Sequence, residues 1–216
     1  MRYYRSAECR VQNAGGGQFP GSEFGPLNAE SIMQLEVEQK FPIKEPAAVR
    51  QSLVELGATF GTPIKQADVY FSHPSRNFKE TDEALRIRRV GQDNFVTYKG
   101  PKLDPATKTR REIELPLAAG DAGFAQFAEL LEVLGFRRVY EVRKHRIPGE
   151  IPWEGRTIHL ALDDVTGLGS YLEIELLADE KELGGAKACL ASLAAAVGLT
   201  GQERRGYLDL LLSGSA

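Results

Sequence analysis

The feature that most constrains this chain is a two-residue rhythm of charge that recurs in segment after segment between Glu36 and Glu175. Side chains in a strand alternate between faces, so residues two apart point the same way. By that rule Glu36, Glu38 and Lys40 share a face, opposite Leu35, Val37 and Phe41 with Gln39 among them. Arg86 and Arg88 oppose Leu85, Ile87 and Arg89, and Arg110, Glu112 and Glu114 oppose Ile113 and Leu115. Lys144 and Arg146 oppose Ile147, while His159 and Asp163 oppose Ile158, Leu160 and Leu162. Tyr171, Glu173 and Glu175 oppose Leu172, Ile174 and Leu176, and Lys99 joins the charged set from a strand at 95–99.

For any one of these strands the simplest reading is an antiparallel sheet with one wet face and one face packed on helices. The set points further. Charges are doubled or tripled on successive same-face positions, and the signs are segregated. Glu36, Glu38, Glu173 and Glu175 form one class, and Arg86, Arg88, Lys144 and Arg146 another. A solvated sheet more often interleaves opposite charges as cross-strand pairs. Closed into a barrel with this face inward, the sheet encloses a carboxylate cluster and a basic cluster. Gathered carboxylates call for a hard cation such as Mg²⁺ or Mn²⁺. Gathered Arg and Lys call for a polyanion, and Arg forks match phosphate oxygens. A metal beside an anion clamp is the chemistry of phosphoryl transfer.

Helices are predicted outside these strands. Pro46 to Ala58 has Pro at its first turn and Val49, Leu53 and Leu56 on one face. A second starts at Asp121 as N-cap and stops at Gly135, a third spans 179–197, and a short last one covers 202–212. The fold class expected is α+β. Residues 1–32, with Gly15-Gly16-Gly17 and several further Gly and Pro, show no sustained period and read as a disordered leader. Met33 is a candidate start, leaving 33–216 as one catalytic domain.

Charge and composition remove several function classes. A net charge of −3 supplies no basic field to draw in nucleic acid or an anionic membrane. No run approaches the ~18 apolar residues of a membrane span, and the N-terminus has no signal-peptide core. The 2 cysteines, Cys9 and Cys189, form no framework or zinc spacing, which fits a reducing cytoplasm. There is no P-loop motif. His73, His145 and His159 lack metal-ligand spacing. Gly167-Leu168-Gly169 reads as a turn between strands, Cys189 as core packing, and Arg204-Arg205 as a solvated helix face.

Taken in order, these blocks resemble the CYTH, or triphosphate tunnel metalloenzyme, superfamily. Glu36-Val37-Glu38-Gln39-Lys40 is similar to its E-x-E-x-K signature. Next come Gln66-x-Asp68-x-Tyr70-Phe71, Leu85-Arg86-Ile87-Arg88, Tyr98-Lys99-Gly100-Pro101 and Arg110-x-Glu112-x-Glu114. Lys144-x-Arg146, Leu162-Asp163 and Gly167-Leu168-Gly169-x-x-x-Glu173-x-Glu175 complete the series. The resemblance covers about residues 34–212, and the stretch from Tyr70 to Arg86 resembles the class IV adenylyl cyclase branch more than the thiamine triphosphatase branch. The family's Ser-Tyr near the C-terminus is replaced by Gly206-Tyr207, so that position's role stays open.

The resemblance implies an eight-stranded antiparallel β-barrel, helices packed outside, and a triphosphate along its axis. It implies metal on Glu36, Glu38, Asp163, Glu173 and Glu175, with Mg²⁺ or Mn²⁺ as cofactor. Phosphates would meet Lys40, Arg86, Arg88, Lys99, Arg110, Lys144 and Arg146, and Glu36, Glu38, Lys40 and Lys99 would carry the catalysis. Glu112 and Glu114 are left between binding metal and orienting the bases. The leading expectation is an adenylate cyclase making cyclic AMP and pyrophosphate from ATP. The alternatives are a triphosphatase acting on tripolyphosphate, thiamine triphosphate or a nucleoside triphosphate, and a non-catalytic polyphosphate- or nucleotide-binding module. A small triphosphate is the expected partner, with no nucleic acid or membrane, and a homodimer is left open.

Overall fold

Alternating apolar positions give each strand one face to bury, and two groups of helices cover that face. The computed structural model describes residues 35–102 and 109–214, so the leader and Met33 lie outside the described residues. In chain order the elements are β1 (Leu35–Pro42), α1 (Pro46–Glu55), β2 (Thr59–Phe60), β3 (Ile64–Ser72) and α2 (Phe78–Thr81). They continue with β4 (Ala84–Val90), β5 (Asp93–Lys99), β6 (Glu112–Leu117), α3 (Gly120–Val133) and β7 (Arg137–Trp153). The last are β8 (Arg156–Val165), β9 (Gly169–Ala178), α4 (Leu183–Val197) and α5 (Tyr207–Ser213).

Eight strands pair antiparallel in the order β1-β9-β8-β7-β3-β4-β5-β6, with the short β2 added to β7. Among the described residues the two ends of the curled sheet meet at a bridge between Glu36 on β1 and Arg110 just ahead of β6. The antiparallel tunnel expected from the alternation is therefore formed. Two apolar layers lie outside it. Val37, Leu160, Leu172 and Ile174 pack against Leu53 of α1 and Leu190 and Leu193 of α4. Val69, Leu85 and Ile87 pack against Ala128 and Leu131 of α3. Cys189 is buried in the first of these layers, as its neighbours in the sequence implied.

A third cluster sits at the tunnel itself. Val142, Val165 and Tyr171 of the barrel meet Tyr207 and Leu211 of α5. Thus α5 packs on inward-facing strand residues, unlike the outer helices. Two close passages need glycine. A Cβ on Gly149 would lie 2.6 Å from Phe60 Cδ1, which would prevent β2 from pairing there. Gly167 and Gly169 take φ of 84° and 94° in the β8–β9 turn, a conformation that favours residues without a Cβ.

Helix starts differ from the sequence reading, for local reasons. The helix expected from residue 179 starts at Leu183, because the Asp179 carboxylate accepts the N–H groups of Lys181 and Glu182 at 2.9 Å and holds a turn first. The last helix starts at Tyr207 rather than 202. Glu203 N–H donates to Lys40 O at 2.7 Å, which ties the preceding segment to β1. Asp121 stands in the first turn of α3 and pairs with Arg89, while Ala119 is the N-cap. The helix from Pro46 ends at Glu55, and α2 was not anticipated; Asn77 caps it by accepting from Lys79 N–H at 3.2 Å.

Candidate active site

The inward faces enclose a cavity of about 780 Å³. All seven basic residues singled out from the sequence line it: Lys40, Arg86, Arg88, Lys99, Arg110, Lys144 and Arg146. Among the expected metal ligands Glu36, Glu38, Glu173 and Glu175 line it, and Asp163 does not. The pleat explains the gathering. Glu38 stands directly opposite Glu175, and Lys40 opposite Glu173, across the β1–β9 pair. Arg88 faces Asp68 across β3–β4, and Arg146 faces Asp163 across β7–β8.

The bases are partly neutralised by carboxylates of their own. Asp68, 2% exposed, accepts from Arg88 Nε and Nη2 at 2.8 and 2.9 Å and from Arg86 Nη1 at 3.2 Å. Burial pushes its carboxyl up, but the two guanidiniums outweigh burial and hold it well below the usual range. Asp163 does the same on the other side. It accepts from Arg146 Nε and Nη2 at 2.7 and 2.6 Å, from Lys144 Nζ at 3.0 Å and from Tyr207 Oη at 3.0 Å. With its side chain fully out of solvent and both oxygens engaged by cations, Asp163 stands behind the basic wall rather than in the cavity. Glu112 contacts Lys99 Nζ at 2.5 Å and Arg86 Nη2 at 4.0 Å, so the structure places it among the bases. Glu114 accepts from Thr97 Oγ1 at 2.9 Å.

The acidic side is strained by comparison. Burial, with Glu112 and Glu175 adding to it, pushes the Glu36 carboxyl well above the usual range despite Lys99 Nζ at 3.1 Å. Burial also pushes Glu175 up to about 7; Arg146 opposes this, and Glu38 and Glu173 reinforce it. Directly opposed like charges on a sheet repel. The Glu38–Glu175 pair therefore suits a divalent cation with oxygen ligands, which would remove that repulsion. Among the described residues no three acidic side chains converge tightly enough to chelate an ion alone, so phosphate oxygens or waters would complete the shell. On the basic side Arg86 Nε is buried and has no hydrogen-bond partner among the described residues. Lys99 is lowered by burial but held above its usual value by Glu112 and Glu36. Lys144 is pushed down to about 8 by burial and by Arg146.

These features fit a family. The CYTH domain model matches residues 34–202. The chain belongs to the CYTH family. A Methanocaldococcus jannaschii protein called "putative adenylate cyclase" is 42% identical over 141 residues, covering 65% of this chain and 76% of the relative. The solved structure of the PH1819 protein from Pyrococcus horikoshii matches with a TM-score of 0.73 and 37% identity, over 83% of this chain and 99% of that one. A Hippeastrum chain called "putative adenylyl cyclase", described as having a dominant triphosphatase activity, shares the fold at 21% identity and a TM-score of 0.59, over 84% and 96% of the two chains. CYTH enzymes act on triphosphates and in general depend on a metal. No helix among the described residues is long and apolar enough to cross a membrane.

Two residues of the site carried no assigned role in the sequence reading. Asp68 stood in a matching block, and its same-face spacing with Tyr70 was a usable signal, but only the β3–β4 register reveals that it meets Arg88. Tyr207 is marked in the sequence only by standing with Gly206 where the family has Ser-Tyr, and no strand spacing reveals its role, because it reaches the tunnel from the far end of the chain. His159 pairs in register with Glu175 but does not line the cavity. Arg204 and Arg205, expected on a solvated helix face, lie in the non-helical segment ahead of α5; the Arg205 side chain is solvated and pairs with Glu203 at 2.6 Å.

Proposed function

We propose that this chain is a class IV-type adenylate cyclase, converting ATP to 3′,5′-cyclic AMP and pyrophosphate. The observation that carries the reading is the composition of the cavity lining. Its charged residues suit a triphosphate. The same cavity is also lined by Tyr70, Phe71, His73, Phe78, Val139, Leu208 and Leu212. Val139 is turned to this region by a register shift where β3 meets β7. At about 780 Å³ the cavity lies in the range that encloses a whole organic ligand, with the mixed apolar and polar lining such ligands need. A nucleoside has a place to sit beside the phosphate section.

In this reading the ribose 3′-hydroxyl gives its proton to solvent, its oxygen bonds to the α-phosphorus, the bond from that phosphorus to the bridging oxygen breaks, and pyrophosphate leaves with that oxygen. Arg86, Arg88, Lys99, Arg110, Lys144 and Arg146, with Lys40 behind them, hold the phosphates and offset the charge that builds on the leaving group. Asp68 and Asp163 keep the guanidinium forks oriented, so little reorganisation is needed when the anion enters. Glu36, Glu38, Glu173 and Glu175 are the proposed holders of Mg²⁺ or Mn²⁺, and Asp163 supports the bases. A divalent cation bound there lowers the pKa of the attacking hydroxyl.

The second reading is a metal-dependent triphosphatase, in which water attacks the terminal phosphorus. It draws on the activity described for the Hippeastrum relative and on a basic lining that needs only phosphates for recognition. The test is product analysis with ATP or tripolyphosphate plus Mg²⁺ or Mn²⁺. Cyclic AMP and pyrophosphate are expected. ADP and phosphate, or tripolyphosphate consumed far faster than ATP, would transfer the assignment to the triphosphatase, and no turnover would leave a binding module.

A further inference from the structure

His73 opens the loop between β3 and α2 and lines the same cavity as the charged residues. Its ring is held from several directions. The backbone N–H groups of Ser75 and Arg76 donate to Nδ1 at 3.1 and 3.0 Å, and Ser75 Oγ lies 3.4 Å from the same atom. Phe78 packs on the ring at a tilt with centroids 5.4 Å apart, and Phe136 meets it edge-on at 5.0 Å. A ring nitrogen that accepts from backbone N–H groups carries no hydrogen, so the ring hydrogen sits on Nε2. Among the described residues Nε2 has no hydrogen-bond partner. Glu83, a carboxylate of the same cavity, is already taken by Tyr98 Oη at 2.5 Å, Thr81 Oγ1 at 2.6 Å and Arg76 Nη1 at 3.1 Å.

We propose that His73 is a specificity-determining residue whose Nε2–H donates to a ring nitrogen of the nucleobase, so that the site selects a purine nucleoside triphosphate over a bare polyphosphate. The inference rests on the cyclase reading above and adds to it the contact that reads the base. The donor is set before the ligand arrives: the loop N–H groups fix which nitrogen carries the hydrogen, and the two phenylalanines fix the ring, so the contact orders no flexible side chain. Its surroundings suit a flat apolar ring, because Phe71, Phe78, Val139, Leu208 and Leu212 line the cavity with it. The seven bases already answer the phosphate oxygens. A purine presents in-plane nitrogens that accept without charge, and a site that donates to such an atom rejects an analogue lacking it, because the donor is then left without a partner.

Calorimetric titrations with Mg²⁺ compare the wild-type chain with His73→Asn. The ligands are inorganic tripolyphosphate, α,β-methylene-ATP, from which pyrophosphate cannot leave, and the 1-deaza, 3-deaza and 7-deaza forms of that nucleotide. The asparagine keeps an acceptor near the position of Nδ1, so the loop retains its hydrogen bonds, and removes the Nε2 donor. His73→Asn should bind the nucleotide about three- to tenfold more weakly, the scale of one neutral hydrogen bond, and tripolyphosphate within about twofold of wild type. One deaza nucleotide should show the same loss on wild type and no further loss on the variant, because both changes delete one contact. A residue that only packs the loop would lower the melting temperature and leave each deaza penalty equal in the two proteins. Tripolyphosphate weakened as much as the nucleotide would put Nε2 on a phosphate and overturn the proposal. Deaza nucleotides that all bind wild type as tightly as the parent would also overturn it, and this arm decides if the variant does not fold. Wild-type protein that binds tripolyphosphate but not the nucleotide would overturn the cyclase reading and this inference together. Cyclic AMP formation with an unchanged nucleotide preference in His73→Asn would overturn the inference alone.

Discussion

Asp68→Asn isolates the ion-pair support of the basic wall, because it keeps the side-chain shape and removes the charge. Asp68 is 2% exposed and accepts three N–H groups from Arg86 and Arg88 at 2.8 to 3.2 Å. Removing one partner of a buried ion pair costs about 3–5 kcal/mol, because the other charge stays buried without compensation. Arg86 retains Glu112 at 4.0 Å, which places the loss near the lower end, about 3 kcal/mol. The folded carboxyl titrates below its unfolded value, so this stabilisation is complete above about pH 4 and is lost as pH falls through the folded value. At neutral pH the whole loss should appear, as a melting temperature lower by about 6–12 °C for a domain of this size. Tripolyphosphate should then restore more stability to the variant than it adds to wild type, since it supplies the negative charge that the two guanidiniums have lost. The assay is thermal unfolding at neutral pH with and without tripolyphosphate, and Arg86→Ala/Arg88→Ala is the control in which the ligand-induced rise disappears. A melting temperature within about 1 °C of wild type would refute the ion-pair argument. Ligand stabilisation no larger than in wild type would show that the freed guanidiniums do not face the anion.

Two further outcomes follow from the opposite wall and from Lys144. Glu36→Gln and Glu38→Gln should each lower turnover by about 10²-fold or more while leaving metal-free stability equal or higher, because a repelling carboxylate is lost; steady-state rates and melts check both. Lys144 titrates near 8, below its unfolded value, so its burial disfavours the fold below that pH and the penalty fades as pH rises from about 8 to about 10.5. Binding runs the other way: tripolyphosphate affinity should fall by up to about tenfold between about pH 7 and about pH 9.5 as the cation is lost. Lys144→Gln should remove that part of the fall in calorimetric titrations.

The inward face was legible because a strand's period of two is strict. One register shift would have moved Arg86 and Arg88 outward and Leu85 and Ile87 inward, and the hydrophobic pattern forbids it. Hence the charged lining could be read residue by residue before any coordinate was known. What the period cannot state is which strand lies beside which. Glu38 meets Glu175 only because β9 lies beside β1, and Arg146 meets Asp163 only because β8 lies beside β7, an order set by the global topology. For that reason Asp163 read as one more tunnel carboxylate, although its neighbours on β7 make it the counter-ion of the bases. Helix starts failed on a shorter scale. Asp179 and Glu203 spend their local hydrogen bonds on turns and on β1 rather than on a first helical turn.

The two walls of the tunnel are prepared differently, and the asymmetry follows from what each has to bind. Guanidinium and ammonium groups buried without counter-ions would each cost several kcal/mol, so the fold supplies Asp68, Asp163 and Glu112 to hold them. These pairs still leave all seven bases lining the cavity. On the acidic wall Glu36 pairs with Lys99 and Glu173 with Arg146, but Glu38 and Glu175 face each other, and Glu175 keeps its proton up to about pH 7. A carboxylate can shed that repulsion by taking a proton, an escape that arginine lacks at physiological pH. The acidic wall can therefore remain frustrated while empty and release the proton when a cation arrives, whereas the basic wall must be paired from the start. In the proposed reading a bound cation and a bound polyphosphate would reinforce each other across one cavity, each removing like-charge repulsion on its own wall and adding attraction for the other. A tunnel built for the anion alone would have no need of the opposed Glu38–Glu175 pair.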